Sequence, residues 1–443
     1  MFQLFVSTAL ESEFGRGPEQ YRHGVNSGLI RYYLLVAAAM MAVGGIFPLL
    51  GELRDQLGFS ETGLGVAVAM GFFAAFAAQI GLARFADRGY SRAMMRLGLG
   101  SVSLSLALLA IATELWQFIV IRMLLGLGVG SLLPAVRRLV IVSDPHRVGI
   151  NIGTMGAFDV GGLLVGPLVS AVLAQFFGFR APFVVLAVIT AAFIPGIASP
   201  PADEVGLSVE RRVVRVLLSQ PGVRAMLTCA IGWFAMIGVF EAVWAVMLTD
   251  RGAPTWLIGV TMSLILLPML FVAPLGGVWA QRLGPLRVVR WGVLFVTPLF
   301  FSYGFIDSLV LLTVVAFFQG FADAVVFPGT QVGMAMAAPA DQAASAQGLQ
   351  GATLEITAGT MALVSGFLYE VFGTKAVFGT GSALMLIGVV VSFGMSRSLA
   401  ADDPLIGPVG SCARHNYQLD EVVADGEAFG AVVAGDGELA GDP

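Results

Sequence analysis

Long uninterrupted apolar runs, separated by short clusters of arginine, glycine and proline, dominate the pattern along this chain. Runs such as 33–51 and 181–199 are too long for strands and show no alternation of apolar and polar positions. A helix needs about 20 apolar residues to cross the hydrocarbon core of a bilayer. Twelve segments meet that length: 30–51, 61–82, 94–113, 116–136, 149–174, 181–199, 225–248, 256–279, 289–306, 308–331, 346–371 and 376–396. A transmembrane β-barrel would need segments of about ten residues with alternating polarity. The pattern therefore predicts an all-α polytopic membrane protein with twelve transmembrane helices.

Composition excludes the other broad classes. Of 443 residues, 57% are hydrophobic and 12% charged, against about 25% charged in soluble domains. So few ionised groups cannot cover an aqueous surface, and disordered chains are charge-rich and aromatic-poor. Glycine (56) and proline (20) are abundant, as is usual for membrane helices.

The basic residues give an orientation. Nineteen fall in one set of loops and the termini, whereas the opposite set holds Arg54, Arg180, Arg251 and Lys375; Arg122 lies within a span. The positive-inside rule then places both termini in the cytoplasm of a cell (inner or plasma) membrane. Residues 1–27 form a cytoplasmic N-terminal segment lacking the basic start and small-residue cleavage site of a signal peptide. Residues 28–199 are read as an N-terminal six-helix bundle, 200–221 as a cytoplasmic linker, 222–398 as a C-terminal six-helix bundle and 399–443 as an acidic, disordered tail. Residues 401–443 contain nine carboxylates and one arginine. Within the linker, VERRVVRVLL reads as a basic amphipathic helix suited to the inner membrane face.

The two halves repeat. At an offset of 194 residues Ala86, Arg88, Arg96 and Gly98 overlie Ala280, Arg282, Arg290 and Gly292, and Gly126, Pro134 and Pro145 overlie Gly320, Pro328 and Pro339. Six spans per half give both halves the same orientation, a transporter architecture of parallel repeats. The expected fold is two pseudo-symmetric six-helix bundles.

Several motifs carry a family resemblance. ARFADRGYSR between spans 2 and 3 resembles the G-x-L-A-D-R-x-G-R-K signature of the major facilitator superfamily, with Ala86, Asp87, Arg88 and Arg92 matching and Ala83 and Tyr90 in place of its glycines. Span 4 reads R-x-x-x-G-x-G-x-G from Arg122 through Gly126, Gly128 and Gly130. Span 5 carries Gly162, Gly166 and Pro167, similar to the G-x-x-x-G-P motif of the drug/proton antiporter branches, with Ser170 and Ala171 where a Gly-Gly closes the motif. FRAPF (179–183) is similar to a further element of the family. The resemblance implies a cytoplasmic gate in which Asp87, with Arg88 and Arg92, latches onto the N-terminus of span 11. The second-half counterpart of Asp87 is Gln281, so that latch is expected on one side only. The span 4 and span 5 glycines are expected at close helix contacts, as small residues usually are in membranes.

Buried ionisable groups are costly, about 2.5–3.5 kcal/mol each at a helix centre, and mark functional paths. The spans contain five: Arg122 (span 4), Asp159 (span 5), Glu241 (span 7), Asp323 (span 10) and Glu355 (span 11). Spans 3, 6, 9 and 12, which the resemblance places outside the bundle, have none in their interiors. Depth counted at about 1.5 Å per residue suggests an inner cluster of Asp159, Asp323 and Glu355, and an outer pair of Arg122 and Glu241. Trp233, Trp244 and Met236 are candidate cavity walls. A carboxylate in such a cavity can take a proton from one side and release it on the other.

These residues point to a secondary active transporter working by alternating access, with a small-molecule substrate and protons as partners and the proton gradient as driving force. Export of an amphiphilic or drug-like compound leads. Proton-coupled metabolite uptake, or a non-transporting sensor on the same scaffold, is the alternative. No enzyme activity, cofactor, metal or nucleic-acid partner is expected: the spans hold no Ser/His constellation or metal-ligand spacing, and no G-x-x-x-x-G-K-[ST] loop occurs. Cys229 and Cys412 lie far apart, and His23, His146 and His415 fall outside the spans. One chain contains the complete pathway, so a monomer is expected to suffice.

Overall fold

The computed structural model describes residues 29–85, 90–143, 148–197, 211–339, 342–399, 403, 405 and 406. The Asp87 and Arg88 latch lies outside these residues, as do the N-terminal segment, most of the linker and nearly all of the tail.

Among the described residues every regular element is helical. Span 1 is interrupted. Its helix Ile30–Gly44 ends at Gly44-Gly45, a short turn follows at Phe47–Leu49, and the chain resumes as Leu50–Leu57. Pro48, which has no N–H to donate, sits in that turn. Spans 2 to 6 are Glu61–Phe85, Ser91–Leu109, Leu115–Ser143, Val148–Phe177 and Ala181–Phe193. A linker helix, Arg211–Ser219, precedes spans 7 to 10: Pro221–Asp250, Thr255–Leu283, Pro285–Ser302 and Leu309–Ala337. Spans 11 and 12 run through Ala343–Met395 and are divided by Gly373, whose φ of 74° is a left-handed conformation that glycine adopts without steric cost. The twelve segments read from the sequence are thus twelve helical spans, span 6 being the shortest.

The helices pair in matching ways in the two halves. Spans 1 and 5, 2 and 4, 3 and 4, and 3 and 6 pack together in the first; spans 7 and 11, 8 and 10, 9 and 10, and 9 and 12 do so in the second. The 194-residue repeat extends to individual contacts. Gly126 packs on the backbone of Gly71, and its counterpart Gly320 packs on the backbone of Ile265, 194 residues after Gly71. Arg96 donates to the carbonyl of Ile197 at the end of span 6 (3.2 Å), and Arg290 donates to the carbonyl of Ser392 near the end of span 12 (2.6 Å). Each arginine ties the third helix of its half to the sixth.

Between the halves, span 2 packs on span 11 and span 5 on span 8. These contacts start at the arginine-poor end. Span 2 meets span 11 where Gly65 approaches Gly366 and Ala362, and again where Phe72 and Phe73 approach Gly359. Span 5 meets span 8 through Pro167 against Gly259 and the Leu164 carbonyl against Ser263 Oγ (2.7 Å). Toward the arginine-rich end the faces part: a side chain added at Gly153, Gly156, Gly277 or Gly348 would meet nothing within 4 Å.

Candidate substrate and proton pathway

Spans 4, 7, 2 and 11 bring the first group of polar residues together near the middle of the molecule. Arg122, in the second turn of span 4, is only 3% exposed. Its Nε and Nη1 have no hydrogen-bond partner, and its guanidinium carbon lies 5.4 Å from the ring centre of Phe47, in the break of span 1. Glu241 on span 7 is near enough to interact electrostatically with both Arg122 and Glu355. Glu355 on span 11 accepts a hydrogen bond from Gln79 Nε2 on span 2 (3.1 Å). Glu241 and Glu355 are both partly exposed, as groups facing open space between helices are. Glu241 thus stands between the Arg122 guanidinium of the first half and the Glu355 carboxylate of its own, and the three together carry one formal negative charge in excess when all are ionised. A proton or a cation would balance it.

Asp323 has different surroundings. It is 4% exposed, and both carboxylate oxygens are occupied: Oδ1 accepts from Trp233 Nε1 (2.8 Å) and Oδ2 from Gln319 Nε2 (3.0 Å). Tyr303 donates its hydroxyl to Gln319 Oε1 (2.8 Å), which aims the amide nitrogen at Asp323. This chain ties spans 7, 9 and 10 together within the second half. Complete satisfaction is what lets a buried polar network persist in a low-dielectric interior.

Asp159 forms a third site. It is partly exposed on span 5, with Oδ1 lacking a hydrogen-bond partner, and it interacts electrostatically with Arg137 of span 4. Beside it Phe158 stacks on Tyr33 of span 1, ring centres 5.6 Å apart. The inner cluster expected from depth is therefore not one cluster. Asp159, Asp323 and Glu355 have separate partners, and Glu355 instead lies near Glu241; Arg122 and Glu241 interact electrostatically without a direct hydrogen bond or ion pair. Depth fixes height in the bundle and not direction around a helix, where successive residues turn by about 100°.

Trp233, Trp244 and Met236 do not line the cavity. They are 4%, 0% and 3% exposed. Trp244 packs on Phe240 and Tyr303 and donates to Thr261 Oγ1 (3.2 Å), so these residues build the core of the second half.

At the arginine-poor end, residues that the sequence marks only as loop charge form a clasp. Arg54 bonds Asp55 (2.9 Å) and Glu61 (3.2 Å) of its own half and Asp250 of the other (2.6 Å). Tyr369 donates to Asp250, Thr255 donates to Glu52, and the backbone N–H of Thr62 donates to Glu370. Arg251, next in the chain, donates to the Tyr303 carbonyl (3.1 Å). Its burial draws the guanidinium below the usual arginine range, against the opposing pull of Asp307, Tyr369 and Asp250.

The motif glycines sit at close helix approaches. Gly126 and Gly130 face the span 2 backbone at Gly71 and Ala75, Gly128 faces span 3 at Gly98, and Gly162 and Gly166 face span 1 at Ala37 and Met41. Pro167 packs on Gly44 beside the break in span 1. Arg92 is half-buried in the first turn of span 3. Among the described residues no group of three or more His, Cys, Asp or Glu side chains could hold a metal.

A family model described as Major Facilitator Superfamily matches residues 32–265 and 242–407. The chain is 24% identical over 379 residues to the Multidrug resistance protein MdtG of Salmonella typhimurium, covering 82% of this chain and 93% of that one. It is 25% identical over 381 residues to the protein of the same name from Escherichia fergusonii, covering 82% and 92%. Among solved structures, a bacterial homolog of the human lysosomal transporter Spinster, in an inward-facing and occupied conformation, superimposes with a TM-score of 0.72 at 14% identity, over 86% of this chain and 98% of that one. The nucleoside transporter NupG superimposes with a TM-score of 0.69 at 12% identity, over 84% and 100%.

Proposed function

The chain belongs to the major facilitator superfamily, a family of membrane transporters, and from that premise we propose that it exports amphiphilic or drug-like compounds in exchange for protons. The observation that carries this reading is the group formed by Glu241, Glu355 and Arg122, which lies between the halves and holds unequal numbers of acids and bases. Support for a drug-like substrate comes from relatives named as multidrug resistance proteins, at about a quarter identity over most of the chain.

The arginine-rich end is the cytoplasmic side in this reading, with both termini there, and the clasp at Arg54 closes the outer side. The molecule is then in an inward-open state. Substrate enters from the cytoplasm or inner leaflet and meets Glu241 and Glu355 in their ionised form. Rocking of the halves breaks the clasp and the Gln79–Glu355 bond, and opens the site outward. Protons delivered from outside neutralise the acids, release the substrate and let the halves swing back. Asp159 and Arg137, nearer the cytoplasmic end of the path, form the inner mouth through which those protons leave. Asp323 acts by holding span 7 against span 10, and does not touch substrate. A single chain carries out the cycle.

The test uses everted membrane vesicles with an acidified interior and a pH-sensitive dye, challenged with lipophilic cations, neutral drugs and metabolites. At least one amphiphilic compound should release protons from vesicles containing the wild type and none from vesicles containing Glu355→Gln. Proton-driven accumulation of a metabolite in right-side-out cells, with no compound releasing protons in everted vesicles, would overturn export.

A further inference from the structure

The linker helix Arg211–Ser219 presents a face that no other part of the described chain covers. Of its residues from Val214 onward, only Leu217 is buried, at 0% exposure, and it anchors the helix where it packs on span 7 and on the helices of Ala343–Met395. Val214, Val216 and Leu218 are 40%, 41% and 43% exposed. At about 100° per residue, Val214 and Leu218 continue the apolar side on which Leu217 sits, and exposed Arg215 follows next around the helix. One side thus faces the bundle, the next is apolar and exposed, and the third is cationic.

The surrounding charge is mostly cationic; Asp403 is occupied by the backbone N–H of Leu405 (2.9 Å), which packs on Gly222 of span 7. The chain bends at Gln220 into span 7, whose first turn carries exposed Arg224. That turn is joined to the end of span 12 by Ser392 Oγ donating to the Ala225 carbonyl (2.7 Å), and exposed Arg397 follows immediately. Arg215, Arg224 and Arg397 make no hydrogen bond or ion pair among the described residues. Exposed apolar residues continue along span 12 at Phe393 and Val390. A partner for this corner must offer negative groups to the arginines and hydrocarbon to Val214 and Leu218.

We propose that this corner, formed by the linker helix, the start of span 7 and the end of span 12, binds the headgroups of anionic phospholipids, with acyl chains packed along Val214 and Leu218. A soluble anion satisfies only the arginines, and a neutral lipid only the apolar flank. Because the linker joins the halves and is fixed to the second half by Leu217, a bound lipid pins that half to the membrane surface while the first half moves.

The experiment uses the full chain in detergent, titrated with phosphatidylglycerol or phosphatidylcholine of identical acyl chains and read by native mass spectrometry. Wild type should retain phosphatidylglycerol preferentially, with a preference that weakens as salt rises. Neutralising Arg215, Arg224 and Arg397 to glutamine should cost about fivefold in phosphatidylglycerol affinity per charge and leave phosphatidylcholine binding unchanged. Val214→Ser with Leu218→Ser should weaken both lipids. An unaltered melting temperature in phosphatidylcholine shows that the variants remain folded. Equal retention of the two lipids by wild type, or an unchanged preference in the triple variant, would overturn the proposal. So would full competition by inorganic phosphate at matched concentration, which assigns the arginines to a soluble anion. If the triple variant keeps its lipid preference and instead exposes residues 407–443 to protease, the arginines hold the acidic tail and the lipid assignment is wrong.

Discussion

Glu355 on span 11 accepts a hydrogen bond from Gln79 on span 2, 3.1 Å across the boundary between the two halves. In the proposed cycle the carboxylate that carries the coupling proton is thereby also a contact that the rocking motion has to break. The two roles separate by substitution. Gln79→Ala removes one bond to a charged acceptor, worth about 1.5–3 kcal/mol, and should shift the balance of inward-open and outward-open states while leaving proton-driven transport intact. Distance measurements between spin labels on the two halves read the first effect, and the vesicle assay reads the second.

The Asp323 network should behave as a structural unit. Asp323→Ala leaves the Trp233 donor buried without an acceptor, at about 1–3 kcal/mol, and leaves Gln319 Nε2 with only the weak Met236 Sδ acceptor (3.2 Å). Asp323→Asn keeps the shape and can still accept one bond, so it should cost less. Thermal unfolding in detergent ranks the two. The double variant with Trp233→Phe should lose less than the sum of the single variants, because the residues act through one bond. Additive losses would mean that the bond contributes nothing.

The clasp at the arginine-poor end should hold that side shut. Arg54→Gln removes bonds to Asp55, Glu61 and Asp250 together. Partly exposed pairs contribute about 0.2–1 kcal/mol each, so the open population should rise a few-fold. Thr249, which lies against Gly51 across the boundary, is the reporter. With Cys229 and Cys412 replaced by serine, Thr249→Cys should react a few-fold faster with a membrane-impermeant maleimide in the Arg54→Gln background.

Helix approach at the repeat glycines should be intolerant of added volume. Gly126→Val would drive a side chain into the Gly71 backbone, so a sharp drop in folded protein is expected. Gly153→Ala, where an added carbon meets nothing within 4 Å, should be neutral or slightly stabilising as a better helix former. Fluorescence-detected size exclusion of the two variants compares them directly.

Much of this architecture could be read from the chain because a bilayer imposes simple rules. A span must be long and apolar, small residues mark close helix contacts, and a fixed offset of Arg and Pro matches reveals the repeat. The partners of the acids were harder to read. Asp323 and Glu355 are alike in the sequence as lone acids on apolar helices. One is turned toward Trp233 and Gln319 inside its own half, and the other toward Gln79 across the boundary. Gln79 gave no signal because a neutral amide is inserted at far less cost than a charge. Arg54 and Asp250 lie at span ends 196 residues apart, where an ion pair leaves no trace in hydrophobic pattern. Span 7 misled in the opposite sense: Trp233 and Trp244 resemble cavity aromatics by position, but their indole nitrogens are committed to Asp323 and Thr261.

Comparison of exchange with net efflux in Glu355→Gln tests the central claim most directly. In proteoliposomes loaded with a transported compound, a substrate-loaded carrier alternating between its two faces can exchange internal for external substrate without moving a proton, whereas net export requires protonation to reset the empty site. Glu355→Gln retains Glu241 to hold the substrate, so it should keep exchange at saturating substrate, with weaker binding, and lose acceleration of net efflux by an imposed pH gradient. Net efflux by Glu355→Gln that still responds fully to the gradient would contradict the account and remove this carboxylate from the proton path.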